Sequence, residues 1–308
     1  VFLFTSSGTG TMEAAVVNTL SPGDKALGVT IGVFGDRFMD VAKAHGIDLT
    51  VLKIPMGQVA NPEKVVEAFT KIKDCKAILI THNETSTAIE NDLKEIAQAV
   101  RLKGNPLFLV DAVSSMGNVD IPVDELGLDV VFTSSQKGWM APPGIAMVSV
   151  SPKAWEASRS AKCSRYYFDF AHMKKYHERG ETPETPAVSV LFALQAALQL
   201  MLKRGVKETF AYYEDLASYT RERLAKEGFI LFGDQTHASN TVTGVMVPDG
   251  VTDEDFRGTL KKKYGLILSG GKGEVSGKIV RIAHMGWVSR EDIDKTVEAM
   301  VSARKELQ

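Results

Sequence analysis

Short, almost unbroken apolar runs alternate with helix-patterned runs along the first half of this chain, and that alternation leaves few folds open. Val1-Phe2-Leu3-Phe4, Ala26-Leu27-Gly28-Val29, Leu49 to Ile54, Ala77-Ile78-Leu79-Ile80, Leu107-Phe108-Leu109-Val110 and Leu128-Asp129-Val130-Val131-Phe132 read as strands. Between them, Met12, Ala15, Val16 and Leu20 share one helical face that stops at Ser21-Pro22-Gly23. Arg37 to His45 reads as a helix closed by Gly46, Pro62 to Ile72 as one with proline in its first turn, and a further helix lies near Glu90 to Leu102. Strands rich in Val, Ile and Leu have no polar face to offer water. The sheet they form must be covered on both sides, and the strand–helix–strand repeat makes it mostly parallel.

The alternation breaks after Val150. Residues 161–186 read as a long connection rich in charge and aromatics, from Arg165-Tyr166-Tyr167-Phe168-Asp169-Phe170 to Glu181-Thr182-Pro183-Glu184-Thr185-Pro186. A loop of that length in a compact protein is usually functional or faces a partner. An apolar helix follows at Val188 to Leu202 and a second at Lys207 to Lys226. Strands at Phe229-Ile230-Leu231, Thr241 to Met246 and Lys278 to Ile282, with helices at Asp253 to Lys263 and Arg290 to Arg304, complete an α+β tail. The 308 residues therefore divide into a large α/β domain, residues 1–204, and a smaller domain, residues 205–308. Val1-Phe2-Leu3-Phe4 already reads as a buried strand with no polar lead-in, so the chain is expected to lack an upstream segment.

A net charge of -2 gives no general attraction to nucleic acid or to an anionic membrane, and no apolar run is long enough to span a bilayer. The only two cysteines, Cys75 and Cys163, lie far apart without metal-ligand spacing, which points to a reducing, cytoplasmic setting. His82 has no second histidine at ligand spacing, so no metal site is expected.

Chemistry concentrates at strand ends. Leu107 to Val110 delivers Asp111, and the next strand delivers Thr133-Ser134-Ser135-Gln136-Lys137-Gly138. In an open α/β sheet, ligands bind beyond the carboxyl ends of the strands. A buried Asp111 needs a cationic or hydrogen-bonding partner, which a protonated pyridine nitrogen would supply; alternatively it caps the next turn. Lys137 is followed by the stiff apolar stretch Trp139-Met140-Ala141-Pro142-Pro143-Gly144, where partial burial would lower its pKa and leave a nucleophilic amine; otherwise it is a solvated loop lysine.

Ser6-Ser7-Gly8-Thr9-Gly10-Thr11 links a strand to a helix start with small residues and hydroxyls, a setting for an anion such as phosphate, or a plain helix cap. It is neither a dinucleotide fingerprint, since Glu13 stands where the third glycine belongs, nor a nucleotide P-loop, since no lysine precedes the last hydroxyl residue. Arg281 lies inside the apolar strand Ile279-Val280-Arg281-Ile282-Ala283, where it either forks onto a carboxylate or sits in an internal salt bridge. Phe34, flanked by glycines, stacks on a planar ring or joins the core. Thr81-His82-Asn83-Glu84-Thr85-Ser86-Thr87 lines a ligand or caps the following helix.

Taken together, Asp111-Ala112-Val113-Ser114-Ser115, Ser134-Ser135-Gln136-Lys137-Gly138 and Ala141-Pro142-Pro143-Gly144 resemble class V aminotransferases of the pyridoxal-phosphate fold type I, with alanine–glyoxylate/serine–pyruvate aminotransferases as the nearest group. The resemblance is collinear and runs from Val1 to the carboxyl terminus. It implies pyridoxal 5'-phosphate held as a Schiff base on Lys137, with Asp111 keeping the ring nitrogen protonated and Val113 and Phe34 packed on the two ring faces. It places Ser7, Gly8 and Thr9 on the phosphate, Ser86 near the ring hydroxyl, Gln136 on the polar edge and Arg281 on the substrate α-carboxylate. Thr185 would reach the phosphate of the other subunit of a homodimer with shared active sites. The implied reaction moves an amino group from a small amino acid (alanine or serine) to a 2-oxo acid such as glyoxylate or pyruvate.

Two departures from the family stand out. Thr182 occupies a place where relatives can have a tyrosine that also reaches the neighbouring phosphate, and an amino-terminal Pro-Gly-Pro-type motif is missing. Within the same fold, a cysteine desulfurase or lyase would typically have histidine before the lysine and a mobile cysteine late in the chain. Here Gln136 precedes Lys137 and no cysteine follows Cys163. A non-catalytic subunit that kept the fold is the alternative from another class.

Overall fold

The structure, a computed structural model, describes all residues 1–308. Seven strands form one sheet: Phe2–Ser6 (β1), Lys25–Thr30 (β2), Asp48–Lys53 (β3), Ala77–Thr81 (β4), Leu107–Asp111 (β5), Val130–Ser134 (β6) and Gly144–Val150 (β7). Their spatial order is β1-β7-β6-β5-β4-β2-β3. Neighbours from β6 to β3 pair in parallel, as the strand–helix repeat requires. Only β7 is reversed, pairing antiparallel with β6 on one side and β1 on the other.

Both faces of the sheet are covered. Leu107 and Leu109 of β5 point into a core shared with helices Gly8–Thr19 (α1) and Val33–Ala44 (α2), while Phe108 and Val110 point into a second core beneath Pro62–Thr70 (α3) and Leu93–Arg101 (α4). Alternate residues of one strand thus serve opposite cores, which is why its sequence shows no polar period. Helices Pro152–Ser160 (α5) and Phe170–His177 (α6) extend the first core through Ala154, Phe170 and Met173.

Helices Val188–Arg204 (α7) and Val206–Lys226 (α8) meet at Gly205, whose φ of 99° suits glycine. Beyond them a three-stranded antiparallel sheet, Val242–Met246 (β8), Ser269–Gly270 (β9) and Ile279–Ala283 (β10), runs in the order β8-β10-β9. Its core is separate: Leu216 of α8, Phe256 of Asp253–Tyr264 (α9), and Val297 and Met300 of Arg290–Leu307 (α10) close over Val280 and Ile282. No helix is long and apolar enough to cross a membrane.

Four expectations need correction. Residues 161–186 are not one loop, because Asp169 accepts from the His172 N–H at 2.9 Å and starts α6, and Phe170 is buried beside Phe2, Phe4 and Trp155. Phe229-Ile230-Leu231 is no strand; Leu231 makes a single bridge to Val245. Helix α2 begins at Val33, four residues before the expected Arg37. The helix expected near Glu90 begins at Leu93, capped by Asp92, because Ile89–Glu90 pairs with Asn83–Glu84 in a two-stranded ladder.

Candidate active site

Adjacent parallel strands bring Asp111 and Lys137 to one cavity of about 240 Å³, as the strand-end positions imply. Asp111 is 4% exposed. Its Oδ1 accepts from the Val113 N–H at 2.9 Å and its Oδ2 from the Thr81 hydroxyl at 3.4 Å. No cation pairs with it, and burial pushes its carboxyl up to about 7, with Glu84 adding to the rise and Lys137 opposing it. A buried acid in that condition is stabilised by any cation placed in the cavity.

Lys137 projects from a locked turn. Met140 donates its N–H back to Lys137 O at 3.0 Å, Ser135 holds Pro142 O and the Ala141 N–H, and the Trp139 indole donates to Thr133 Oγ1 at 3.0 Å. Gly138 lies so close to Asn118 Oδ1 that a Cβ there would collide with it. Burial lowers the Lys137 pKa first, and the charges of Arg281 and Lys272 lower it further. Its amine is thus drawn toward the neutral, nucleophilic form.

The anion end of the cavity is the start of α1. Ser7 is its N-cap without a side-chain cap bond, leaving its hydroxyl uncommitted, and Gly8 and Thr9 occupy the first helical positions, whose N–H groups find no intrahelical acceptor. A Cβ on Gly8 would stand 2.6 Å from Val113 Cγ2, so the glycine is what lets Val113 approach. Arg37 adds charge here, donating to Thr9 Oγ1 at 3.2 Å.

Phe34 lines the same cavity because of a residue 50 positions away. Glu84 Oε2 accepts from the N–H groups of Phe34 (2.8 Å) and Gly35 (3.0 Å) at the start of α2, and its Oε1 accepts from the N–H and hydroxyl of Ser86. Burial pushes this carboxyl up, and the four donors around it and the helix start oppose that rise.

The structure therefore gathers Ser7, Gly8, Thr9, Phe34, Asp111, Val113, Gln136 and Lys137 around one cavity. Ser86 is not on its lining; its hydroxyl donates to Glu84 and accepts from the Val33 N–H at 3.0 Å. Thr185 is exposed and away from it. Arg281, 9% exposed, takes neither alternative completely: it forms no internal salt bridge, its Nε and one terminal nitrogen donate to Gly270 O (2.9 Å) and Thr85 O (2.7 Å), and Thr85 lines the cavity. Asn83, Thr85, Ser114 and Arg37 were not singled out individually from sequence. Asn83 and Ser114 were visible as members of two polar strand-end segments; Arg37 gave no signal. The buried Asn83 Oδ1 and Gln136 Oε1 have no partner within the protein. The lining thus offers a carboxylate without a cation, an amine, an open helix start, an aromatic face and spare acceptors, which together fit a planar cationic ring with an anionic arm.

A second, larger cavity of about 490 Å³, between His82 and Glu90 on one side and Arg221 and His237 on the other, contains neither Lys137 nor Asp111. Burial shifts His82 down to about 4 and Glu90 up to about 7, so at their 3.6 Å approach neither is held as a strong charge at neutral pH.

Comparison with known proteins places these features in context. The family model described as "Aminotransferase class-V" matches residues 2–295. A protein named soluble hydrogenase, small subunit, from Synechococcus sp. is 41% identical over 100% of this chain and 80% of its own length. An L-aspartate–glyoxylate aminotransferase from Paracoccus denitrificans is 37% identical over 93% of this chain and 73% of its own. The crystal structure of an alanine–glyoxylate aminotransferase from Nostoc sp. superposes with a TM-score of 0.93 at 29% identity, covering 98% of this chain and 81% of that one.

Proposed function

The chain belongs to the class V aminotransferase family, and from that premise we propose that the cavity beyond β5 and β6 holds pyridoxal 5'-phosphate, tethered by Lys137. The protein is a transaminase acting on a small amino acid, alanine or serine among its donors, and a 2-oxo acid such as glyoxylate or pyruvate. The observation that carries the site assignment is Asp111: an acid this deeply buried, without a cation, facing the amine of Lys137 across one cavity. The Synechococcus relative bears a different name, and the reading rests on this chain's own pair.

When bound, the cofactor withdraws electrons from the substrate Cα through its protonated ring. Asp111 keeps a proton on the ring nitrogen, since an ionised carboxylate beside it raises that nitrogen's pKa. Val113 and Phe34, both on the cavity lining, would pack against the ring. The N–H groups of Gly8 and Thr9, with the Ser7 hydroxyl and Arg37, hold the phosphate at the start of α1. Gln136 meets the polar edge with its unpartnered Oε1. Ser86 acts through Glu84 rather than on the ring hydroxyl. Arg281, from the smaller domain that starts near residue 205, uses its remaining terminal nitrogen on the substrate α-carboxylate. Lys137, whose amine lines the cavity, would take the proton from the substrate Cα as base and return it as acid.

The reading includes a homodimer in a cytoplasmic setting. Thr185 is exposed just before α7, and Val188, Phe192 and Leu200 of that helix leave apolar surface uncovered, which a second copy would bury while Thr185 reaches the neighbouring phosphate.

The test is spectroscopic. Pyridoxal phosphate added to the protein should give a visible absorbance band that bleaches with alanine or serine, and Lys137→Ala should lose both the band and turnover. Retained turnover in Lys137→Ala, or no spectral change in the unsubstituted protein, would refute the assignment.

A further inference from the structure

We propose that the second, larger cavity is a binding site for a free α-amino acid, its ammonium taken by Glu90 and its carboxylate by Arg221. The site shares no lining residue with the cavity around Lys137 and does not depend on the chemistry there. Its walls come from two distant parts of the chain. His82 and Glu90 flank the polar segment that follows β4, while Arg221 belongs to α8 and Asn240 precedes β8.

Opposite charges line this cavity without meeting. Glu90 and Arg221 act on each other electrostatically, yet no salt bridge joins them. Arg221 spends two of its five N–H groups, on Ser239 O at 3.0 Å and Ser218 Oγ at 3.4 Å, and no carboxylate takes the other three. On the other wall, Glu90 Oε2 has no hydrogen-bond partner. His82, 6% exposed, spends Nδ1 on Ser115 Oγ at 2.8 Å, while its Nε2 stops 3.6 Å from Glu90 Oε1, too far for a hydrogen bond. A buried ring nitrogen on the cavity wall is thus left without a partner beside an acid in the same condition. An anion alone would satisfy Arg221 and leave Glu90 unpartnered; a cation alone would do the reverse. No group of three or more His, Cys, Asp or Glu side chains is placed to hold a metal ion. A molecule that carries both charges a few bonds apart meets both walls at once, through charge-assisted hydrogen bonds at each end. An α-amino acid has that form, and a cavity of about 490 Å³ leaves room for its side chain.

The experiment is calorimetric titration with glycine at pH 8, above the value of about 7 to which burial raises Glu90. The protein is loaded with pyridoxal phosphate and reduced with borohydride, so that Lys137 exchanges no amine and any binding left in its cavity is common to every variant. Glycine should bind, and acetate and methylammonium should each bind about tenfold more weakly or worse, since each keeps only one charged hydrogen-bonding end. Glu90→Gln, whose parent side chain makes no hydrogen bond, and Arg221→Gln should each weaken glycine about tenfold or more, with partial recovery in Arg221→Lys. Should Arg221→Gln fail to fold, Glu90→Gln decides alone. Equal glycine affinity in Glu90→Gln and the unsubstituted protein would overturn the proposal, and so would the absence of glycine binding. Acetate or methylammonium binding as tightly as glycine would reduce the cavity to a single-ion site and overturn it equally. If borohydride fixes no cofactor, the tether at Lys137 fails on its own, and the Glu90 comparison still decides this site.

Discussion

Replacing Asp111 by asparagine should make the cofactor-free protein more stable and the enzyme nearly inert. Asp111 sits in the folded protein with its carboxyl raised from 3.8 to about 7, chiefly by burial. An acid with a raised folded pKa binds more protons folded than unfolded between those two values, so stability falls as pH rises through that window. At 1.36 kcal/mol per unit, ionised Asp111 costs the cofactor-free fold roughly 4 kcal/mol at pH 8 and about 2 kcal/mol at pH 5. Burial is nearly complete, so little of this is screened by water.

Asparagine keeps Oδ1 as acceptor for the Val113 N–H, places an N–H donor against the Thr81 hydroxyl oxygen where Oδ2 stood, and carries no charge to desolvate. The difference in urea midpoint between Asp111→Asn and the unsubstituted protein, both stripped of cofactor, should therefore favour the variant and widen from pH 5 to pH 8. With cofactor added, the sign reverses for function. Loss of the carboxylate lowers the ring nitrogen's pKa by about two units, and kcat should drop about a hundredfold or more. A variant less stable than its parent at pH 8, or a stability difference that does not change with pH, would show that Asp111 is not an uncompensated buried acid.

Two other substitutions probe the frame around the site. Glu84→Ala strips the acceptor from the Phe34, Gly35 and Ser86 N–H groups and should destabilise the fold by roughly 3–5 kcal/mol; a urea-midpoint loss equivalent to less than about 1 kcal/mol would contradict the capping role. Phe192→Glu places charge on an aromatic that is 67% exposed on α7; sedimentation velocity should show a dimer shifted to monomer with weaker cofactor binding, and an unsubstituted monomer would end the homodimer proposal.

The strands, and the delivery of Asp111 and Lys137 to one cavity at their ends, are legible because a doubly covered parallel strand leaves a strong apolar signature and its carboxyl end opens onto a crevice. Asp111 and Lys137 follow directly from that signature. Helix α2 starts earlier than its local sequence indicates for a different reason. Gly32, its N-cap, has no side chain, and the cap is Glu84, delivered by the sheet from another segment. No local window contains that information. Helix α6 could have been found: Asp169 as N-cap and Lys174, Lys175 and His177 in the last turn are ordinary start and stop signals, masked by the length of the surrounding connection. The Phe229 to Leu231 run has strand-like residues, but Leu231 pairs only with Val245 while β8 takes β10 as its partner. Arg37 reaches the cavity only through tertiary packing and carries no motif.

The reversed strand β7 has a consequence for the order in which the molecule is made. β1 hydrogen-bonds to no other strand of the sheet, with Phe2 opposite Val148 and Ser6 opposite Gly144. On the ribosome, residues 2–6 emerge long before 144–148, so the first strand waits, unmated, through most of the large sheet's synthesis. When β7 arrives it zips residues 2–6 to residues 144–148. That single closure draws the Ser7-Gly8-Thr9 corner alongside the hairpin that presents Lys137. The cavity between that corner and Lys137 is thereby completed only when the sheet is whole, and a nascent chain stalled before Gly144 lacks it.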